Sequence, residues 1–178
     1  MATKVEWSDD EGDEFTYMWL EGDSLAPPCQ SEYDVVHEIL QLANVAADDV
    51  VFDLGCGDGR ICIAAARRHG ASAVGIEIEA HLIDKFQRKI DRYNLQDRVR
   101  VLHGDLLEAD LSSATVIVTY LLPEALVQLI PTFEVALARG CRIVSNSWHI
   151  PGLVHQAKKD VGHFDNVPLY LYHGSSSR

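Results

Sequence analysis

Hydrophobic residues recur along the chain at two spacings, and the alternation between them predicts a succession of strands and helices. Five apolar runs have the length and composition of buried strands, at Asp49–Leu54, Ser72–Glu77, Arg98–His103, Thr115–Tyr120 and Arg142–Ser147. Before and between them, apolar positions repeat at helical spacing over residues 31–45, 60–69, 79–93 and 123–138. Strands that alternate with helices predict a mostly parallel sheet with helices on both faces.

The ends of the predicted helices carry recognisable signals. Ser31 is suited to cap the first helix, and Gly70 is suited to end the second in a left-handed conformation. Pro123 is expected in the first turn of the last helix. Pro131 falls inside that helix, so a kink or a division into two short helices is expected there.

The last part of the chain is predicted to complete the sheet. Residues 155–161 and 168–172 are expected to form an antiparallel pair at the sheet edge, separated by a turn near residues 162–166. In an open parallel sheet, ligands bind beyond the carboxyl ends of the strands, where the strand order reverses. The segment that follows the first strand is therefore the first place to search for a site.

That segment is a glycine-rich turn. In the sequence VVFDLGCGDGR, Asp53 lies in the strand, and Gly55, Gly57 and Gly59 lie in the turn that leads to a helix at Arg60. Glycine lets the backbone approach a ligand closely, and the helix N-terminus offers unpaired N–H groups. The turn therefore predicts a site for a nucleotide-type cofactor.

Two cofactors of this type fit the turn unequally. The dinucleotide fingerprint G-x-G-x-x-G needs a glycine where Arg60 stands, and Asp53 and Asp58 would repel a pyrophosphate. S-adenosylmethionine (SAM) carries an ammonium at its methionyl end and a cationic sulfonium. The same carboxylates would attract these charges, so the turn favours SAM.

Two further predicted strands end in acids. Glu77 ends the second strand, twenty positions after Gly57, which is the spacing expected of an acid that binds a ribose in a βαβ unit. The third strand ends at Gly104-Asp105-Leu106. Three motifs in order, each after a predicted strand, are a much stronger signal than any one of them.

Together these motifs resemble those of the class I SAM-dependent methyltransferases. The string DLGCGDG, residues 53–59, is similar to their first motif, D-x-G-x-G-x-G. Over residues 27–172 the chain further resembles small bacterial methyltransferases that are related to eukaryotic protein-lysine methyltransferases without a SET domain. The resemblance implies a Rossmann-like three-layer α/β sandwich, with a mostly parallel seven-stranded sheet and one antiparallel strand near the edge.

The resemblance also implies the cofactor site, in which the turn after the third strand contacts adenine. The implied cofactor-binding residues are Asp53, Gly55, Cys56, Gly57, Asp58, Gly59, Glu77, Ile78, Asp105 and Leu106.

The sequence gives a less specific signal for the methyl acceptor than for the cofactor. The fourth strand ends in TYLLP, residues 119–123, and lacks the N/D-P-P-Y/F motif of enzymes that methylate adenine, cytosine or glutamine. Tyr120 is the candidate catalytic residue, with a hydrogen bond or a ring face for a cation beside the reacting methyl. Asn146, Trp148 and His149 follow the fifth strand, near the expected acceptor entrance.

The charge of the chain limits which classes of methyl acceptor are expected. The net charge of −12 argues against a nucleic-acid substrate. Residues 1–23 hold eight acids and one base, Lys4, which suits either a solvated tail or a docking surface for a basic protein. We therefore expect an acidic segment over residues 1–30, partly flexible or covering the active site, and a SAM-binding methyltransferase domain over residues 31–178.

Three functions share these motifs. The preferred prediction is SAM-dependent methylation of a protein lysine side chain. A small-molecule acceptor is the first alternative, because a short chain offers little surface for a macromolecule. A non-catalytic SAM-binding subunit is the second, because it would keep the same cofactor residues.

Composition sets the remaining expectations. The four cysteines show neither a CxxC pair nor metal-ligand spacing with histidine, which predicts reduced thiols and no metal. No run is apolar enough to span a bilayer, and the N-terminal residues do not form a secretory signal. A cytoplasmic or nuclear location is expected, and the oligomeric state is left open.

Overall fold

The computed structural model describes residue 25 and residues 31–174. The helices are α1 (Tyr33–Leu42), α2 (Arg60–His69), α3 (Ala80–Arg92) and α4 (Pro123–Ala138). The strands are β1 (Val50–Leu54), β2 (Ser72–Glu77), β3 (Val99–His103), β4 (Val116–Thr119), β5 (Arg142–Asn146), β6 (Ala157–Val161) and β7 (Val167–His173). Apart from Leu25, the predicted acidic segment lies outside the described residues.

The strands form one seven-stranded sheet in the order β3-β2-β1-β4-β5-β7-β6. Strands β1 to β5 pair in parallel, and β7 pairs antiparallel with both β5 and β6. The predicted sheet, with one antiparallel strand near its edge, is confirmed. The strand order reverses between β1 and β4, which is where a ligand site is expected.

Each face of the sheet carries its own hydrophobic core. Along β4, Val116 and Val118 face one core together with α1, α2 and α3, while Ile117 faces the other core with α4. This alternation follows from the period of two along a strand. Because both faces of β4 are buried, its sequence is a continuous apolar run. The helices that cover the two faces confirm the predicted three-layer sandwich.

Most helix ends lie where the sequence predicts them, with two corrections. Gly70 ends α2 at φ +70°, and Pro123 begins α4, as expected. Ser31 does not cap α1, because Glu32 occupies that position and the Ser31 hydroxyl accepts a hydrogen bond from Asn146 instead. The division of α4 at Pro131 is also wrong, since one helix runs through it and is buried on either side of the proline.

Asp49 links neighbouring segments at the amino-terminal ends of the parallel strands. Its carboxylate accepts hydrogen bonds from the Thr115 hydroxyl and the Ala46 N–H, and it forms an ion pair with Arg142. Burial works to raise the pKa of Asp49, but these hydrogen bonds and the Arg142 charge outweigh it and lower the pKa. No helix within residues 31–174 is long and apolar enough to cross a membrane.

Candidate active site

The backbone of the glycine-rich turn is hydrogen-bonded to the neighbouring strand. Gly55 and Cys56 both donate to the Ile76 carbonyl, each at 3.0 Å. Gly57 has φ +55°, a region that favours glycine. A β-carbon placed there would meet no atom within 4 Å, so this face of the turn is open to a ligand.

The last glycine of the turn has a different role. A β-carbon at Gly59 would lie 2.0 Å from the ring of Phe86 on α3, so glycine is needed there to let α3 pack. Cys56 also faces inward, where burial raises the pKa of its thiol well above the usual range. Two of the predicted cofactor residues therefore support the turn from behind.

Glu77 joins the turn to the end of β2. One carboxylate oxygen accepts hydrogen bonds from the N–H groups of Ile78 at 2.8 Å and Glu79 at 3.0 Å. The other accepts from the Gly57 N–H at 2.8 Å. Three backbone donors thus fix the carboxylate at the carboxyl edge of the sheet.

Asp53 is a buried carboxylate without a cationic partner in the described part of the chain. Burial, together with the charges of Glu77 and Asp58, raises the pKa of Asp53 to about 8. An isolated buried charge is costly unless a positive group compensates it. A cationic ligand beside Asp53 would supply that compensation.

Asp58 lies close by in an opposite electrostatic environment. It is 1% exposed and accepts hydrogen bonds from Arg60 at 3.0 and 3.1 Å and from Lys89 at 2.6 Å. Burial works to raise the pKa of Asp58, but the two cations outweigh it and lower the pKa. The charge of Asp58 is therefore compensated within the protein, whereas Asp53 has no cationic partner among the described residues.

The turn after β3 lies beside the end of β2. The Gly104 N–H donates to the Glu77 carbonyl at 3.0 Å, and the Asp105 carboxylate accepts from the Leu107 N–H at 2.8 Å. Leu106 is half-buried against the core, whereas the side chain of Ile78 is 61% exposed. The structure thus places an exposed apolar side chain and a carboxylate next to Glu77.

Tyr120 follows β4 at the same edge of the sheet. Its ring stacks on Trp148, with ring centres 5.7 Å apart. The Trp148 carbonyl in turn accepts a hydrogen bond from the Ser145 hydroxyl at 2.6 Å. His149, the other aromatic residue expected at the entrance, lies edge-on to Tyr170 instead.

A cleft of about 590 Å³ opens beside Tyr120. Its walls come from the start of α1, the ends of β4 and β5, and the turn between β6 and β7. Asn146 is buried in it and donates to the Ser31 hydroxyl at 2.9 Å. Glu32 and Asp34 are exposed at its rim. The cleft thus lies at the carboxyl edge of the sheet, beside Tyr120, and is open to a ligand.

Hydrogen bonds connect this cleft with the glycine-rich turn. Arg60, which pairs with Asp58, also donates to the Ser31 carbonyl at 2.8 Å and lies over the Tyr33 ring at 4.9 Å. Ser31 is bonded in turn to Asn146. The turn and the cleft are therefore held as one unit.

A protein-family model for the ANTKMT methyltransferase domain matches residues 53–157, more than half of the chain. The chain belongs to this methyltransferase family. The match includes the glycine-rich turn, Glu77, Tyr120 and Asn146. The protein is a SAM-dependent methyltransferase, and the non-catalytic alternative is set aside.

Known relatives of this methyltransferase differ in their acceptors. It is 40% identical to a protein-lysine N-methyltransferase of Saccharolobus islandicus over 119 residues, which are 66% of this chain and 74% of the relative. The chain also superposes on the structure of an RNA methyltransferase from Salinibacter ruber in complex with S-adenosylhomocysteine, with a TM-score of 0.76 and 35% identity. The superposed region is 84% of this chain and 96% of that structure. A ribosomal protein L11 methyltransferase of Alkaliphilus metalliredigens is 32% identical over 85 residues, and the chain spans 27% of its length.

The residues of the methyltransferase fit SAM. Asp53 is a buried carboxylate that lacks a positive partner among the described residues, and SAM carries positive charge. The open face of Gly57 gives the backbone close access to a ligand. Glu77 and the exposed Ile78 then lie at the end of the adjacent strand, as the nucleoside half of the cofactor requires.

Sequence reasoning missed the residues that support the site. Arg60 stands two positions after Asp58, so their ion pair joins residues that are close in the sequence. Lys89 and Phe86 carry no such signal, because α3 reaches the turn only in the folded protein. Within residues 31–174, no group of three His, Cys, Asp or Glu side chains is placed to hold a metal ion.

Proposed function

We propose that this methyltransferase transfers the methyl group of SAM to a lysine side chain of a protein. The observation that carries the proposal is its 40% identity to a protein-lysine N-methyltransferase, most of whose length it matches. The cleft beside Tyr120 supports it, since the carboxylates of Glu32 and Asp34 at its rim favour a cationic substrate. The missing N/D-P-P-Y/F motif after β4 also fits an aliphatic amine better than a planar one.

The cofactor site that we propose has two groups of residues. The first group faces the ligand and comprises Asp53, Gly55, Gly57, Glu77, Ile78, Asp105 and Leu106. The second group, Cys56, Asp58 and Gly59, holds the turn from the protein side. In this arrangement Asp53 attracts the positive charge of SAM, and Glu77 accepts hydrogen bonds from the ribose hydroxyls.

Methyl transfer to lysine depends on position and on the charge of the amine. Bound SAM supplies an electrophilic methyl group on a sulfonium. The incoming lysine must be neutral, and burial in the cleft lowers the pKa of its ammonium. We propose that Tyr120, held by its stack on Trp148, positions the amine in line with the methyl and helps to exclude water. No strong base is needed once the amine is desolvated.

Two other acceptors have some support. The Salinibacter ruber relative is described as an RNA methyltransferase, but a net charge of −12 and an acidic cleft oppose a polyanion. A small-molecule amine is the second candidate, because a volume of about 590 Å³ lies within the range of small-molecule sites.

Labelling with methyl-tritiated SAM separates these acceptors. The purified protein is incubated with a lysate of its source organism, and protein, RNA and small-molecule fractions are counted separately. The Gly57→Val variant serves as the control without cofactor binding. Label in a protein band, mapped by mass spectrometry to lysine, supports the proposal. Label that is lost with ribonuclease refutes it, and so does label in a small molecule other than SAM that does not form with the control variant.

We also propose that the acidic residues before the domain act as a separate segment. Leu25 is the first described residue, and its carbonyl accepts a hydrogen bond from the Leu122 N–H at 3.0 Å while its side chain packs on the core. A truncation should therefore spare it. Removal of residues 1–23 is expected to leave SAM affinity unchanged and to raise the KM for a basic protein substrate. An unchanged KM would contradict a docking role.

A further inference from the structure

We infer that the cleft beside Tyr120 binds a basic, extended segment of the substrate protein, and that Glu32 and Asp34 contact cationic side chains that flank the target lysine. The inference rests on the proposed function, in that the acceptor is a protein. It adds a specificity: the enzyme should select lysines with a second basic residue nearby in the sequence.

The two carboxylates are available to a partner. Glu32 and Asp34 lie at the start of α1, and both are exposed. Neither forms a salt bridge within residues 31–174. One oxygen of Asp34 accepts the Val35 N–H at 2.8 Å, which fixes the side chain and leaves the other oxygen to face the cleft or solvent. The rim thus presents two carboxylates that form no salt bridge with the described part of the chain.

These carboxylates do not suit the target amine itself. A nearby negative charge stabilises the ammonium form of lysine, whereas methyl transfer needs the neutral amine. The target amine therefore belongs deeper in the cleft, near Tyr120 and the buried Asn146. The rim is left for cations that stay charged, which means neighbouring lysine or arginine side chains of the substrate.

The wall formed by the turn between β6 and β7 suits such side chains as well. Phe164 lines the cleft with 79% of its side chain exposed, and its ring lies edge-on to His163 with centres 4.4 Å apart. Lysine and arginine bury their aliphatic stems on apolar surface while their charged ends stay in water. A guanidinium can also stack on an aromatic face. The cleft therefore combines a carboxylate rim with an aromatic wall.

Peptide binding tests the inference directly. Fluorescence anisotropy would be measured with a labelled peptide that has one central lysine flanked by arginines, and with its counterpart flanked by glutamines, both at saturating S-adenosylhomocysteine. The double variant Glu32→Gln/Asp34→Asn is compared with Asp48→Asn/Asp97→Asn. The control pair removes the same charge from exposed positions at the opposite edge of the sheet.

The wild type is expected to prefer the arginine peptide. The cleft variant should lose roughly three- to tenfold in affinity for it, as expected for two exposed ion pairs, and its affinity should depend less on salt. The control variant should stay within about twofold of the wild type. No preference in the wild type, no loss in the cleft variant, or an equal loss in both variants would overturn the inference.

The aromatic wall has its own test. Phe164→Ala is expected to weaken binding of the arginine peptide severalfold while the salt dependence stays as in the wild type. Val154→Ala is the control, since Val154 is 82% exposed and does not line the cleft. Equal effects of the two changes would remove Phe164 from the site. These binding results stand apart from the labelling experiment, in which a non-protein acceptor would refute the proposed function whatever the peptides do.

Discussion

Replacing Asp53 with asparagine is expected to change how the stability of this methyltransferase depends on pH. Burial, with the charges of Glu77 and Asp58, raises the pKa of Asp53 from 3.8 to about 8. The unfolded chain loses this proton near pH 4. Between about pH 4 and pH 8 the folded protein therefore binds one proton more than the unfolded chain, so its stability falls as pH rises through this window.

The magnitude follows from the pKa. One pH unit within the window corresponds to about 1.4 kcal/mol, so the wild type should lose about 3 kcal/mol between about pH 5.5 and pH 8 through Asp53. An asparagine side chain carries no charge at any pH, so the Asp53→Asn variant should lose none of this contribution. Urea unfolding of both proteins, without ligand and at constant ionic strength, measures the difference directly.

The pH dependence of ligand binding is an independent test of the ionisation of Asp53. S-adenosylhomocysteine keeps the methionyl ammonium, which should bind the ionised form of Asp53. As pH rises towards 8, the affinity of the wild type should increase by up to about tenfold per pH unit. The Asp53→Asn variant should bind weakly with little dependence on pH. Parallel stability curves for the two proteins would refute the reasoning, because Asp53 would then titrate as in the unfolded chain.

Three further changes test the surroundings of the site. Gly57→Val should abolish SAM binding and lower the melting temperature only through the backbone strain of a valine at φ +55°, because the new side chain enters open space. Gly59→Ala should lower the melting temperature more, because its methyl group also meets Phe86. Calorimetry and thermal unfolding distinguish the two, and the reverse pattern contradicts the placement of the turn. Lys89→Met removes one of the two cations that bind the buried Asp58 and should cost about 3 kcal/mol in urea unfolding, while the exposed Arg88→Met should cost much less. Thr119→Val should raise the free energy of unfolding by about 1 kcal/mol, because the Thr119 hydroxyl is buried without a hydrogen-bond partner among the described residues; a lower stability would show that the hydroxyl has a partner.

The parts of the fold that the sequence predicts well are those with local causes. The bounds of β2 and of α2 agree with the prediction, since hydrophobic spacing and a terminal glycine act within a few residues. Ser31 has the residue type of a helix cap, but its actual partner, Asn146, lies 115 positions away. Pro131 favours a division of α4, but burial of Leu129 and Phe133 on either side keeps one helix.

Sequence patterns alone are enough to establish the architecture and the class of cofactor. The alternation of strands and helices predicts the layered sheet, and the residues of the turn, with Glu77 and Asp105, bear a family pattern in a fixed order. The role of each of these residues depends on the tertiary structure. Asp53 and Asp58 are five positions apart and chemically alike, yet Lys89 and Arg60 compensate Asp58 while Asp53 stays buried without a cation from the described residues. The physical reason is that burial and charge compensation depend on groups that folding brings together from distant parts of the chain. The walls of the cleft beside Tyr120 are assembled in the same way.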